Sequence, residues 1–167
     1  MMQSSPFNFR RIFILLGRIL LAGLFIYAGY AKIRMPTLPQ RPPLGVALTF
    51  FAMQVDSYQL VPKAAVNYVA QALPFAEIAL GLLLLIGWQL RIWTSLLTLV
   101  LAGFFFGVLR AYLLHLEINC GCFGVPEKVT LLKVFENGAL LALMVLMTVF
   151  VFAEARKPHP WAAAANS

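Results

Sequence analysis

The sequence has 167 residues, of which 62% are hydrophobic and only 11% are charged. This composition excludes an ordinary soluble globular domain, in which about a quarter of the residues are charged. The net charge of +7 does not indicate a nucleic-acid partner, because the 13 Lys and Arg residues are scattered along the edges of apolar runs. We therefore expect an integral membrane protein with a single domain, whose first partner is membrane lipid.

The first predicted span covers residues 12–31 and follows a polar N-terminal tail, residues 1–11. The span is apolar except for Arg18 and has the length of a bilayer crossing. A signal peptide cleaved after Ala31 is the alternative, which is disfavoured because the apolar run exceeds the usual h-region. Aromatic and basic residues at the end of the span predict a collar at the membrane surface: Tyr27, Tyr30, Lys32 and Arg34.

A long connection, residues 35–62, follows the first span and contains five prolines. Residues 45–60 nevertheless show helical spacing of apolar side chains. They predict a short helix on the bundle end or in the membrane interface, and we expect it to be a packed helix without a ligand role. Its apolar positions are Val46, Phe50, Met53 and Leu60.

The second predicted span, residues 64–88, carries a proline and a carboxylate in an otherwise apolar run. Pro74 removes a backbone donor and should kink the helix. Glu77 is costly in lipid and should face the bundle interior beside a base. A structural ion pair is the favoured interpretation, and a proton relay or the floor of a site is the alternative. The candidate partners are Lys32, Arg18 and Arg110.

The third predicted span, residues 92–114, is joined to the second by a turn so short that the two should form an antiparallel hairpin. Gly103 and Gly107 have the G-x-x-x-G spacing that lets another helix approach closely. Three successive phenylalanines, residues 104–106, point in different directions around the helix. Ordinary packing is the default for them, and a quinone cleft is the alternative.

The fourth predicted span covers residues 129–153 and is followed by a tail, residues 154–167, that we expect to be disordered. Pro126 and Glu127 indicate a helix start just before it. The predicted fold is therefore all-α, a four-helix membrane bundle over residues 12–153 with a short extra helix in the first long connection. Four spans place both termini on one side, and the numbers of Lys and Arg do not decide which side that is.

Both cysteines of the chain lie between the third and fourth spans, as Cys120-Gly121-Cys122. Two thiols this close can exchange electrons by forming and breaking a disulfide, which is the favoured hypothesis. Inert interfacial thiols are one alternative, and half of a metal site completed by another subunit is a second. With two cysteines and two histidines in the chain, a complete thiolate-rich zinc site in one protomer is disfavoured, so we assign no metal.

Cys122 is predicted to be the more reactive thiol. It precedes the predicted start of the fourth helix, whose dipole and free N–H groups favour a thiolate. A ring closed over one intervening residue should be strained and therefore readily reduced. The supporting groups are Arg110 and Lys128 as positive charges, Gly121 and Gly124 as permissive backbone, and His115 as a proton carrier, although a lone interfacial histidine is more often just polar.

The loop Cys120-Gly121-Cys122-Phe123-Gly124 resembles the signature of the MauE family of methylamine-utilisation membrane proteins, within the wider DoxX-like group. The resemblance extends from about Leu16 to Phe152. It includes Arg18, Gly29 and Lys32 in the first span, Tyr58, Val61 and Pro62 before the second, and Leu73, Pro74, Glu77 and Gly81 within it.

The resemblance implies a DoxX-like four-helix protein of the bacterial inner membrane that supports disulfide formation or maturation of periplasmic proteins. Its implied partner is a thioredoxin-like protein of the MauD type, and the client named for the family is methylamine dehydrogenase. With a single cysteine pair, its electrons must pass to a partner protein or directly to a membrane quinone. If the pair is redox-active, we expect it on the periplasmic side, where disulfides persist.

Two other functions stay open from the sequence. One is a non-catalytic subunit that packs against a larger membrane complex through Gly103, Gly107 and the aromatic surfaces. The other is a DoxX-like subunit that passes electrons from a sulfur compound to quinone, which would need a ligand-binding recess near Glu77. An ion pair sealed from water at Glu77 would count against the second.

Overall fold

The computed structural model describes residues 7–35, 40, 42–116, 118 and 128–155. These residues form five helices, which we number in chain order. Their bounds are α1 Phe7–Arg34, α2 Leu44–Ser57, α3 Lys63–Ile86, α4 Leu90–Leu113 and α5 Leu131–Ala155.

Four of these helices are long and apolar enough to cross a bilayer, which confirms the all-α membrane bundle. The candidate spans are Arg11–Arg34, Lys63–Ile86, Leu90–Leu113 and Leu131–Glu154. The helices differ from the predicted spans mainly at their ends. α1 begins at Phe7, within the predicted N-terminal tail, and α5 extends through Glu154 and Ala155, which we had placed in the C-terminal tail. The rest of that tail, residues 156–167, lies outside the described residues.

Glycine and proline set several helix ends. Gly87 adopts a left-handed conformation, with φ 80°, at the C-cap of α3, which explains why the helix stops there rather than at the predicted residue 88. Pro43 and Pro62 stand at the N-cap positions of α2 and α3. Both prolines lie just outside the helical hydrogen-bond ladder, so their missing N–H groups cost nothing there.

Helix α2 is shorter than predicted, and it packs with a different face. The apolar side chains that suggested it, Val46, Phe50 and Met53, are all exposed, whereas Ala47, Phe51 and Ala52 are buried. Phe51 and Ala52 pack with Val66 and Ala70 of α3. The helix therefore rests on the bundle by one face and leaves a second apolar face for the membrane interface.

Helices α1 and α3 make the most extensive packing in the bundle, and two glycines permit it. A Cβ on Gly29 would lie 2.5 Å from the carbonyl oxygen of Pro74, and one on Gly81 would lie 3.0 Å from the carbonyl oxygen of Ala22. These contacts are backbone to backbone, so the space cannot be recovered by moving a side chain. Small residues thus allow the close approach expected of membrane helices, but at this pair rather than at Gly103 and Gly107.

The second major contact joins α4 to α5. The hydroxyls of Thr98 and Thr148 lie 3.0 Å apart across it, and the ring of Phe105 approaches the site where a Cβ on Gly138 would lie, at 3.3 Å. The apolar core where these helices meet α1 and α3 contains Leu21, Ala22, Phe25, Leu84, Leu97, Leu101, Met144 and Met147.

Two polar contacts identify the ends of the bundle. At one end, Arg11 near the start of α1 lies 3.8 Å from Glu154 near the end of α5, so the two terminal helix ends lie together. At the other end, Arg110 of α4 donates a hydrogen bond of 3.0 Å to the carbonyl oxygen of Tyr58, which follows α2. The cysteine loop follows α4 along the chain, so it leaves from the second end.

Candidate functional site

The described residues on either side of the cysteine loop are joined to each other. The amide of Val129 donates a hydrogen bond of 3.2 Å to the carbonyl oxygen of Ile118. This contact closes a neck, which we define as Ile118 and Val129, at the base of the segment that carries both cysteines. Both cysteines therefore lie, along the chain, between two residues that are hydrogen-bonded to each other.

His115 terminates α4. Its φ is 50°, in the left-handed region, and its amide bonds to the carbonyl of Tyr112 while the amide of Leu116 bonds to the carbonyl of Ala111. This pair of bonds is the Schellman arrangement that usually has glycine at the left-handed position. Histidine is among the residues that tolerate that conformation best after glycine. The position thus gives the exposed His115 a structural role that the sequence prediction of a proton carrier did not anticipate.

The predicted loop residues, Cys120, Gly121, Cys122, Phe123 and Gly124, lie outside the described residues, so their roles stay predictions. The neighbouring helix start is a correction. α5 begins at Leu131, after the non-helical residues 128–130, and not at Pro126 and Glu127. The hydrogen bonds of α5 begin at Thr130, whose carbonyl accepts from the amide of Val134. The helix of the fourth span, which is α5 in the structure, therefore begins nine positions after Cys122. Because Cys122 does not adjoin its N-terminus in sequence, the proposed effect of the helix dipole on that thiol loses its basis.

Of the positive groups assigned to the loop, Arg110 is half-buried and bound to the Tyr58 carbonyl. Lys128 is exposed and stands next to the neck. Both therefore belong to the loop-bearing end of the bundle. Lys133, in the first turn of α5, pairs with Glu136 at 2.8 Å, at the i, i+3 spacing that favours such pairs.

A buried ion pair joins α1 to α3. The Nζ of Lys32 lies 2.8 Å from both carboxylate oxygens of Glu77, and each side chain is 2% exposed. Of the three candidate partners that the sequence offered for Glu77, Lys32 is thus the one that binds it. Arg110 binds Tyr58, and Arg18 donates from Nε and Nη2 to the carbonyls of Leu84 and Leu85, at 3.2 and 2.8 Å. The prediction that Lys32 belongs to a collar at the membrane surface is wrong, because its ammonium group is needed at the buried carboxylate.

The other helices enclose this ion pair. Lys32 Nζ lies 5.6 Å from the ring centroid of Phe51 in α2 and 5.8 Å from that of Phe104 in α4, within range of cation–π attraction. On the α5 side, the buried Asn137 shares with the pair a small cavity of about 40 Å³. That volume holds about one to three water molecules. The pair is a buried polar centre that joins α1 to α3 and is contacted from α2, α4 and α5.

A larger cavity of about 320 Å³ lies beside Lys32, between α2, α3 and α4. Its wall is mostly apolar and includes Gly103 and Leu99, which is 68% exposed, so the cavity opens on the outer surface of α4. Gln54 and Tyr58 add polar groups. Burial raises the pKa of Tyr58 to about 12, so its phenol is protonated at neutral pH. Glu77 is absent from this wall, and the cavity meets only the lysine side of the ion pair.

The two glycines of the predicted G-x-x-x-G helix contact have different surroundings. No described heavy atom lies within 4 Å of a Cβ built on Gly103, whereas one on Gly107 would meet the side chains of Leu60 and Tyr58 at 3.3 and 3.7 Å. Within the described part of the chain, the pair therefore borders the cavity and the α2–α3 connection. The phenylalanines also separate as expected: Phe104 lines the cavity, Phe105 packs on α5 and Phe106 is exposed.

The chain that carries the buried ion pair, the neck and the cysteine motif can be compared as a whole with known proteins. A family model described as Methylamine utilisation protein MauE matches residues 10–150. The chain belongs to the MauE family. No curated protein and no solved structure matches the chain. The family match confirms the resemblance that the cysteine loop suggested, and with four apolar helices it makes the chain a multi-pass MauE-family membrane protein.

Two residues of the polar centre in this MauE-family chain, Phe51 and Asn137, were missed from the sequence, as was the role of Tyr58 in the wall of the larger cavity. Asn137 carried a usable signal, because an amide inside an apolar span is costly and tends to face the interior. Phe51 carried none, since nothing distinguishes it in sequence from its exposed neighbour Phe50.

Proposed function

We propose that this MauE-family protein exchanges dithiol and disulfide at Cys120 and Cys122. The observation that carries the proposal is the placement of the motif: the chain's two cysteines, one residue apart, lie in a segment whose base is closed by the hydrogen bond from Val129 to Ile118. Two neighbouring thiols in a connection between two membrane helices are the arrangement that thiol exchange with another protein requires.

The exchange runs in two thiolate attacks. A thiolate of a reduced thioredoxin-like partner of the MauD type attacks one sulfur of the Cys120–Cys122 disulfide, which breaks the S–S bond and forms a mixed disulfide. The partner's second thiolate then attacks its own sulfur in the mixed disulfide. The partner leaves oxidised, and the two cysteines of this chain carry the two electrons and, after protonation, two protons.

Cys122 is the sulfur that we propose forms the mixed disulfide. The support is electrostatic: Lys128 follows it closely in sequence, and Arg110 lies at the same end of the bundle. Positive charge favours the thiolate and lowers the cost of releasing it. The N-terminus of α5 no longer contributes to this argument.

The loop-bearing end faces the periplasm in this proposal, and the protein lies in the bacterial inner membrane. The start of α1 and the end of α5 lie together at the opposite end, as the contact of Arg11 with Glu154 indicates, and would then be on the cytoplasmic side. A periplasmic loop meets the compartment in which disulfides persist, and it can serve secreted clients such as methylamine dehydrogenase.

A membrane quinone is the proposed acceptor that reoxidises the pair. Two electrons and two protons from the dithiol convert one quinone to one quinol and restore the disulfide. The cavity beside Lys32 supports this step, because it opens on the lipid-facing surface of α4 and has aromatic walls and a protonated phenol. It also lies near Tyr58, at the loop-bearing end.

The structure counts against one of the two alternative functions and does not favour the other. A sulfur-compound:quinone subunit needs a ligand recess at Glu77, and the 2% exposure of both members of the ion pair counts against it. A non-catalytic subunit of a larger complex would use the open surface at Gly103 and the exposed Phe106. That surface is equally suited to lipid, so redox exchange stays the first proposal.

The proposal is tested by counting thiols. The oxidised full-length protein in lipid nanodiscs is mixed under nitrogen with a reduced MauD-type protein, and alkylated thiols are counted by mass spectrometry. Each partner dithiol lost should appear as two alkylated cysteines at positions 120 and 122. A Cys120→Ser/Cys122→Ser variant controls for other oxidants. No thiol transfer to the wild-type loop would overturn the proposal.

A further inference from the structure

A second site lies at the opposite end of the bundle from the cysteine loop. It is an open cavity of about 770 Å³ where α1, α4 and α5 meet the α3–α4 turn. Among the described residues, three arginines line it, Arg11, Arg18 and Arg91, together with one carboxylate, Glu154. We call it the arginine groove. The charge of this described lining is +2, in a chain where only 11% of the residues are charged.

The packing of the bundle holds these charges at the groove. Arg18 is fixed by its hydrogen bonds to the carbonyls of Leu84 and Leu85, at the C-terminus of α3. Its guanidinium fills the space beside Gly87, where any Cβ would overlap it. Arg11 lies 3.8 Å from Glu154 and is 60% exposed at its side chain. Arg18 is thus built into the fold, whereas the side chain of Arg11 lies at the surface of the groove.

The start of α4 adds to the positive potential. Gln89, Leu90 and Arg91 line the groove. The first α4 amides that bond to the Gln89 carbonyl belong to Ile92 and Trp93, so those of Leu90 and Arg91 precede the helical ladder. Amides at a helix N-terminus and the helix dipole both favour an anion. Guanidinium groups bind phosphate oxygens with directed, charge-assisted hydrogen bonds.

The walls of the groove differ from those of a site for a free ion. Leu15 and Ile92 line it and are 52% and 51% exposed. These residues belong to membrane-spanning helices, near the ends at which Arg11 and Arg91 leave the apolar segment. The groove therefore lies at headgroup depth, with positive charge on its outer side and apolar surface continuing toward the hydrocarbon.

We infer that the arginine groove binds the phosphate of an anionic phospholipid. The arginines and the α4 amides bind the headgroup phosphate, and Leu15 and Ile92 contact the first part of its acyl chains. Free inorganic phosphate would use the same polar groups but would gain nothing from the apolar walls. This site is independent of the cysteine loop, so it can be confirmed or lost without changing the redox proposal.

The experiment is native mass spectrometry of the full-length protein released from detergent after titration with phosphatidylglycerol or phosphatidylcholine. We expect one retained phosphatidylglycerol and much weaker retention of phosphatidylcholine, whose headgroup has no net charge. Arg91→Gln should weaken phosphatidylglycerol binding about fivefold, since one arginine near a membrane surface contributes about 1 kcal/mol. Added inorganic phosphate should not displace the lipid.

Two matched variants make the result specific. Glu154→Gln removes the carboxylate that lines the groove in the described part of the chain and should tighten phosphatidylglycerol binding. Arg34→Gln removes an exposed arginine at the opposite end of α1 and should leave it unchanged. Equal retention of the two lipids, equal effects of Arg91→Gln and Arg34→Gln, or displacement by inorganic phosphate would each overturn the inference.

Discussion

The amide of Val129 donates a hydrogen bond to the carbonyl oxygen of Ile118, 3.2 Å away. This backbone contact joins Ile118, which follows α4, to Val129, which precedes α5, across the segment that carries both cysteines. It lies outside the membrane-spanning helices. The contact can therefore be broken without removing any of the packing that holds the bundle.

Val129→Pro tests this neck. Proline has no N–H, so the hydrogen bond is lost, at a cost of about 1 kcal/mol. We expect the reduced cysteines to react up to about fivefold faster with a neutral alkylating reagent, because the loop base opens. Val129→Ala keeps the N–H and is the matched control. Equal alkylation rates in the two variants would show that the neck does not hold the loop.

The ion pair of Lys32 and Glu77 should behave as a structural unit. Lys32→Met leaves a buried carboxylate without its partner and should reduce the free energy of unfolding by about 3–5 kcal/mol, as measured by denaturation in detergent. Lys32→Met/Glu77→Met removes both charges and should recover most of that loss. If Lys32→Met also lowers the rate of thiol exchange, the double substitution should restore that rate. A double variant that is stable but inactive would instead assign the pair a role in proton transfer.

His115 offers a test that separates backbone from side-chain function. Glycine fits the left-handed position at least as well as histidine, so His115→Gly should keep the helix end and the stability of the protein. If the imidazole carries protons for the cysteines, the same variant should slow thiol exchange. We expect unchanged exchange. His115→Val, whose branched side chain is strained at this φ, should destabilise the protein and serves as the opposite control.

Gly29 and Gly23 lie on the same helix and should respond to alanine with opposite signs. The Cβ of Gly29→Ala would be 2.5 Å from the Pro74 carbonyl oxygen, so α1 and α3 must separate, at a cost of about 1–3 kcal/mol. No described atom lies within 4 Å of the same Cβ at Gly23, where alanine should stabilise the helix by up to about 1 kcal/mol. Thermal unfolding in detergent measures both. A stable Gly29→Ala variant would show that the helices are packed less closely than the structure has them.

Apolar length and composition were sufficient to predict the four spans, because a bilayer crossing leaves a strong signal in sequence. The burial of Glu77 beside a base was predictable for the same reason, since a lone carboxylate in lipid is costly. The choice of Lys32 over Arg18 was not, because it depends on the rotation of α1 against α3. The start of α5 was mispredicted because Pro126 and Glu127 satisfy the local rules for a helix start. In the structure, residues 128–130 are non-helical, and Val129 bonds to Ile118 in the neck.

Sequence also could not reveal where small residues matter. Gly103 and Gly107 have the spacing of a helix contact, yet Gly29 and Gly81 are the glycines at which backbones meet. Which helix faces α1 is decided by the packing of the whole bundle. The arginine groove was hidden for a similar reason, because Arg91 is far along the chain from Arg11 and Arg18 and meets them only in the folded bundle.

The central claim is that Cys122 exchanges disulfides with a thioredoxin-like partner. The direct measurement is a trapping experiment with a MauD-type protein whose second cysteine is replaced by serine, so that the partner cannot resolve the mixed disulfide, followed by rapid alkylation that blocks Cys120. Wild-type protein should form a covalent adduct that peptide mapping assigns to Cys122, and Cys122→Ser should lose both the adduct and client oxidation. An undiminished adduct with undiminished client oxidation in Cys122→Ser, or no adduct with the wild-type protein, would contradict the account.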